Sequence, residues 1–372
     1  MPRNGELVAR VRERVVDELR SAPGASVPDL AHRHARAAAP LASDDELEAI
    51  VAAVVAFVRG LGPLEPLLAD PSITDVMVVA GRSVWVERQG ELELVDIELG
   101  DGEAELLIER VVAPLGRRVD RSSPIVDARL ADGSRAHAIV PPLAVDGACL
   151  TIRRFGAQPV PLEAFGAPPV IALIAEALEA RANLLVVGGT SSGKTTFLNA
   201  LGQRLPPDER IITIEDAVEL RLPGRHVVRL EARPRSADGV GEVTMRDLVR
   251  AALRMRPDRL VIGEVRGPEA FDLVAAMNIG HDGCLATCHA NGPHDALRRL
   301  EALVLLAGSG LPHLAIREQL GASIDVIVHV VKTNAGRREV HTVAEVLDDG
   351  TGVRVVAQDG ERRGALSRMA RS

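Results

Sequence analysis

Aromatic side chains are almost missing from this sequence: its 372 residues hold five Phe, one Trp and no Tyr. That argues against the stacking platforms on which single-stranded nucleic acids are held, and it requires an aliphatic core. Lysine is nearly absent too. Of 44 basic residues only Lys194 and Lys332 are lysines, and the other 42 are arginines. Three cysteines, Cys149, Cys284 and Cys288, are too few for a disulfide framework and predict a reduced, cytoplasmic chain. Cys284, Cys288 and His289 lie close together, but two thiols on an apolar stretch read as small core residues rather than a metal cluster. The N-terminus shows no signal-peptide core. The longest apolar run near it, residues 49–58, suits a core helix and is too short to span a bilayer, so no transmembrane segment is expected. The net charge of −8 argues against a nucleic-acid backbone as the main partner.

The strongest positive signal runs from Leu184 to Leu201. Leu184, Leu185, Val186 and Val187 read as a buried parallel strand. Gly188, Gly189, Thr190, Ser191, Ser192, Gly193, Lys194 and Thr195 then fit G-x-x-x-x-G-K-[ST], the phosphate-binding loop of nucleotide hydrolases, and Thr196 continues into a helix. Glycines let backbone N–H groups close around phosphate oxygens. Lys194 would reach the β- and γ-phosphates of ATP, and the Thr195 hydroxyl would sit on Mg²⁺. A chain that uses arginine nearly everywhere keeps a lysine here, where a compact ammonium is wanted rather than a planar fork.

A phosphate loop also needs carboxylates for the water and the metal. Glu215 and Asp216 follow one apolar strand in RIITIEDAVEL, and Glu264 follows another in RLVIGEVRG. In an open α/β sheet strand C-termini converge on the ligand. His281 and His289 bracket a further strand in GHDGCLATCHAN.

Taken in order, residues 1–60 read as a helical region with two helices, the second opened by a Ser43/Glu46 capping box. Residues 61–155 read as a smaller α+β domain with an Asp132-Gly133 hairpin. Residues 156–169, with four prolines and two glycines, read as a linker. Residues 170–350 alternate strand and helix as a doubly wound α/β domain, and 351–372 read as a basic tail, frayed from Gly360 onward.

These stretches together resemble the secretion (traffic) ATPases of type II and type IV secretion and type IV pilus systems. Within these the chain resembles the CpaF/TadA type that powers Flp (tight-adherence) pilus assembly. The matching segments, in family order, are PIVDARLADGSRAHAIVPPL, LTIRRF, GGTSSGKTT, TIEDAVEL, LRMRPDRLVIGEVRGPEA and GHDGCLATCHAN. The resemblance implies a RecA-like P-loop ATPase domain behind the smaller α+β domain. It also implies a Walker A motif at Gly188 to Thr195, and an Asp box at Glu215, Asp216 and Glu219. A Walker B motif would end at Glu264 with Arg266 after it, and a His box would hold His281 and His289. Arg129, Arg135, Arg153 and Arg154 would complete the nucleotide site from the preceding domain. On this reading Lys194, Glu264, Glu215 and His289 serve catalysis, and Thr195, Glu215 and Asp216 serve Mg²⁺. The resemblance further implies a homo-hexamer bound to an inner-membrane platform protein at the cytoplasmic face.

Three departures stand out. Ser191 replaces a frequent glycine. Gly263 stands before Glu264, where a Walker B aspartate is usual. Three scattered cysteines cannot form the four-cysteine zinc module of many type II members, which favours a pilus or type IV-like chain. Two other readings are a nucleic-acid-translocating motor on the same core and a non-hydrolysing nucleotide-bound scaffold; charge and composition count against the first, and the intact carboxylates against the second.

Overall fold

The computed structural model describes residues 3–22, 24–88, 90–115, 117–130, 132–154, 160–233, 241–333 and 336–367. The chain forms two units, Met1–Ala157 and Gln158–Ser372.

The first unit begins with three helices, α1 (Arg3–Ser21), α2 (Val27–Ala38) and α3 (Asp44–Arg59). Val11, Val15, Leu30, Leu47, Ile50 and Val54, at helical spacing, bury against one another. The α3 capping box forms as expected: the Glu46 N–H donates to Ser43 Oγ at 3.3 Å, and the Ser43 N–H to Glu46 Oε2 at 2.9 Å. Helix α2 was not expected. Its buried face is Val27, Leu30, Ala31 and Ala35, and alanines give little contrast against a polar background.

Next come α4 (Glu65–Ala69), β1 (Ile73–Val79), β2 (Ser83–Arg88), β3 (Glu91–Glu98), α5 (Glu103–Val112), β4 (Ile125–Arg129), β5 (Arg135–Ile139) and β6 (Cys149–Arg153). The sheet order is β3-β2-β1-β6-β5-β4, antiparallel throughout. One face packs Val76, Val78, Ala136, Leu150 and Ile152 against Leu107 and Ile108 of α5.

The second unit comprises α6 (Pro168–Glu179), β7 (Leu184–Gly188), α7 (Lys194–Gly202), β8 (Ile211–Glu215), β9 (Val227–Glu231), α8 (Met245–Ala252), β10 (Arg259–Val265), α9 (Glu269–Asn278) and β11 (Leu285–His289). They are followed by α10 (Pro293–Leu306), α11 (His313–Ser323), β12 (Val326–Lys332), β13 (Arg338–Val346), β14 (Val353–Gln358) and β15 (Glu361–Arg362). The sheet order is β15-β14-β13-β12-β7-β11-β10-β8-β9. Strands β12 to β9 in that order are parallel, and β13, β14 and β15 add an antiparallel meander at the β12 edge. Phe197 and Leu201 of α7 and Leu173 of α6 cover one face. Val249, Leu273 and Leu300, from α8, α9 and α10, cover the other. Strand β7 is buried on both sides, which its unbroken apolar run requires.

Two expectations are corrected. The segment read as a basic tail contains β14 and β15, with Val356 and Ala357 fully buried in the sheet, and β15 falls within the part read as frayed. The segment read as a linker carries a helical turn, Leu162–Phe165, whose Leu162 and Phe165 lie in the core beside Phe197. Among the described residues no single helix is long and apolar enough to cross a membrane; α3 with the helical segment after it passes only as a pair bent by 116°.

Candidate active site

The C-terminal ends of β7, β8, β10 and β11 lie along one edge of the parallel sheet, because strand register places Leu184 beside Leu285, Val261 beside Leu285, and Ile211 beside Arg259. Ligands bind at that edge in folds of this kind. The phosphate loop leaves β7 there. A side chain at Gly188 would strike the Val330 carbonyl oxygen of β12, so only glycine fits. Ser191 (φ 58°) and Gly193 (φ 93°) are both left-handed, and they curl the loop into α7 as a nest of N–H groups. The glycine frequent at position 191 would take that conformation without strain; serine adopts it at modest cost. Ser192 Oγ is buried without a hydrogen-bond partner. Lys194 Nζ donates to the Gly188 and Gly189 carbonyls at 3.1 and 3.0 Å, so its head lies over the loop. Thr195 and Thr196, half-buried, occupy the first turn of α7, where the helix dipole favours an anion.

Glu264, near the end of β10, acts on Lys194 electrostatically. Burial lowers the Lys194 pKa, and Glu264 is the largest influence opposing that. The loop ammonium and the Glu264 carboxylate are thus close enough for their charges to interact. Glu215 ends β8 and is only 3% exposed. Its Oε2 accepts the Glu219 and Leu220 N–H groups at 2.8 and 2.9 Å, whereas Oε1 is buried with no partner. A Cβ on Gly263 would lie 2.8 Å from Glu215 Cγ. The Glu215 side chain therefore fills the volume that a side chain at 263 would enter. Asp216 is tied differently, in an ion pair with Arg266. The turn carrying Arg266 is fixed by Glu269 Oε1, which accepts the Arg266 and Gly267 N–H groups at 2.7 Å each. A Mg²⁺ ion would find hard oxygen donors here, as it prefers, in the Thr195 hydroxyl and the unpartnered Glu215 Oε1.

Burial pushes the Glu215 pKa up to about 7, against the two backbone N–H donors that lower it. A folded-state value above the ordinary 4.5 means that the stability contribution is complete below about pH 4.5 and is lost as pH rises through 7. At roughly 1.4 kcal/mol per pKa unit, the loss is up to about 3–4 kcal/mol. Glu215→Gln keeps an acceptor for both N–H groups and cannot ionise. In EDTA and without nucleotide, it should melt at higher temperature than wild type at pH 8 and match it at pH 5. The same difference at both pH values would show that the carboxyl does not titrate there.

His289 ends β11, exposed and in register with Gly188, so it stands at the mouth of the loop. His281 precedes β11 at its other end, beyond a strand of roughly 13 Å at about 3.3 Å per residue. The structure brings His289, and not His281, to the loop edge within this unit. Cys284 and Cys288 are buried between the sheet and its helices, where burial raises both thiols, Cys288 to about 11. They behave as small apolar residues.

In the first unit, Arg129, Arg135 and Arg153 stand directly opposite one another across β4, β5 and β6, with Asp75 of β1 next in the row. They share the face opposite Ala128, Ala136 and Ile152, which are buried. Arg153 is half exposed and 3.8 Å from Asp75. Arg154 is not in that row; its guanidinium donates to the Asp70 and Ile73 carbonyls.

One cation at the loop was not foreseen. Arg338, the first residue of β13, lies against Gly193, where a Cβ would sit 2.5 Å from Arg338 Cδ. No local motif marks it. The contact arises only from the pairing of β13 with β12 and of β12 with β7.

Residues 58–367 match the Type II/IV secretion system protein family. The chain belongs to that family. Its members are ATPases, and this chain is one. A Mycobacterium tuberculosis protein provisionally named for conjugal transfer is 43% identical over 313 residues, covering 81% of this chain and 88% of its own length. The type IV secretion system protein VirB11 of Brucella suis is 32% identical over 303 residues, covering 73% and 84%. The solved structure of the pilus retraction motor PilT with bound ADP superposes with a TM-score of 0.55 at 20% identity, over 76% of this chain and 81% of that one. That last likeness is one of fold, and the second unit is RecA-like.

Proposed function

We propose that this secretion-family ATPase is a six-membered ring motor that hydrolyses Mg²⁺-ATP at the phosphate loop to drive assembly of a Flp-type or related pilus, or protein secretion. It would act at the cytoplasmic face of the inner membrane through a platform protein. The observation that carries the ATP reading is the loop geometry, with Lys194 folded over the Gly188 and Gly189 carbonyls, Glu264 close enough to act on its charge, and Glu215 buried at the end of neighbouring β8 with one oxygen unpartnered. In this reading Lys194 and the loop N–H groups hold the phosphates, Thr195 and Glu215 serve the metal, and Glu264 polarises the attacking water. Asp216 positions Arg266 through their ion pair.

The names of the conjugal-transfer relatives favour a second reading, DNA transfer. The −8 charge and six aromatics oppose direct DNA handling. ATP turnover of the purified protein should therefore be unchanged, within twofold, by single- or double-stranded DNA at low salt. Strong stimulation that fades as salt rises would select the DNA motor. Mass measurement with and without ATP tests the ring: a species of six chains is expected, and a monomer in both conditions would refute it.

A further inference from the structure

We propose that Arg338, carried by the β12–β13 hairpin, is a nucleotide-binding residue that holds the diphosphate end shared by ATP and ADP. The inference rests on the ATP reading above. Three observations carry it. First, Arg338 packs on the loop itself: a Cβ on Gly193 would meet Arg338 Cδ at 2.5 Å, Cγ at 3.2 Å and Nε at 3.3 Å. Gly193 immediately precedes Lys194, so the guanidinium lies beside the nest of N–H groups that receives phosphate oxygens. Second, the strand phase aims it there. Val330 and Val340 are opposite partners buried on the α7 side of the sheet, and the next pair two residues on, Lys332 and Arg338, continues that face. Third, the Arg338 side chain makes no hydrogen bond or ion pair among the described residues, although the residue is half-buried. A half-buried guanidinium with five donors uncommitted suits a bidentate phosphate contact.

The sheet order decides which end of the nucleotide it meets. Strand β12 flanks β7 on one side, and β11, β10 and β8 lie on the other. Glu264 and Glu215 belong to that other side, and the γ-phosphate must face them for hydrolysis. Arg338 approaches from the opposite flank. It therefore touches the part of the nucleotide that ADP retains, and its energy is spent on binding rather than on the transition state.

The test compares Arg338→Met, which keeps the stem over Gly193 and removes the charge, with Arg338→Lys and wild type. ADP affinity is read by calorimetry, and KM and kcat for ATP by steady-state turnover. Arg338→Met should weaken ADP binding about tenfold and raise KM for ATP by a similar factor, with a several-fold smaller change in kcat. Arg338→Lys should recover part of the affinity. ADP binding by Arg338→Met equal to wild type would mean that only the stem matters and would overturn the proposal. A fall in kcat with unchanged ADP affinity would place Arg338 at the γ-phosphate and overturn it also. Wild-type protein that binds no ADP would instead overturn the ATP reading, and the inference with it.

Discussion

Glu264→Gln should bind ATP with near wild-type affinity and hydrolyse it at least a thousandfold more slowly. The substitution keeps size and hydrogen-bonding shape, and it removes the charge that, in the proposed role, polarises the attacking water; general-base contributions run to about 10²–10⁴ in rate. Glu264 is half-buried at the end of β10, and its charge is felt by Lys194. Neutralising it deepens the lowering of the Lys194 pKa that burial causes, since Glu264 is the largest influence opposing that shift. Trapped ATP, visible by chromatography of the denatured complex, is the expected product of a one-hour incubation. A variant that fails to retain nucleotide would make Glu264 a residue of the metal site. Glu215, whose free Oε1 is buried nearby in the sheet, would then become the candidate base.

Local signals make the phosphate loop, its strand and its helix legible in the sequence itself. LLVV forces a strand buried on both faces, and glycines at 188 and 193 mark positions where a side chain has no room. The Asp132-Gly133 hairpin and the Ser43 cap are legible for the same reason: each is decided by a few adjacent residues. The antiparallel half of the large sheet is not. Strands β12 and β13 are apolar runs interrupted by His329 and His341, and periodicity alone does not say which strand pairs with which. The fate of residues 351–372 turns on the same ambiguity, because β14 is held by long-range pairing with β13.

The site divides along the same line. Lys194, Thr195 and Glu264 are announced by motif. The steric relation between Glu215 and Gly263 is not, since it depends on two neighbouring parallel strands, β8 and β10, meeting in register. An aspartate at 263 would have to displace a carboxylate already buried there. Gly263→Asp therefore adds a second acid without adding room.

Lys194→Ala should abolish measurable hydrolysis and weaken ATP binding by roughly a hundredfold or more, because the ammonium of the loop, which the proposed reading puts on the β- and γ-phosphates, is gone. The more telling variant is Lys194→Arg. A chain with 42 arginines and two lysines tolerates arginine almost everywhere, so charge alone cannot explain the lysine at this position. The structure supplies the reason. The ammonium is compact enough to sit 3.0–3.1 Å from the Gly188 and Gly189 carbonyls, inside the arch of its own loop. Arg338 already lies against the neighbouring Gly193. A guanidinium at 194 is planar, longer and fixed in its donor directions, and it cannot fold into that arch without pushing the loop outward. Lys194→Arg should therefore fold, melt within a few degrees of wild type, and still lose turnover by about a hundredfold or more. Turnover near wild type in Lys194→Arg would show that the loop does not enclose the cation, and that the phosphates bind elsewhere along the sheet edge.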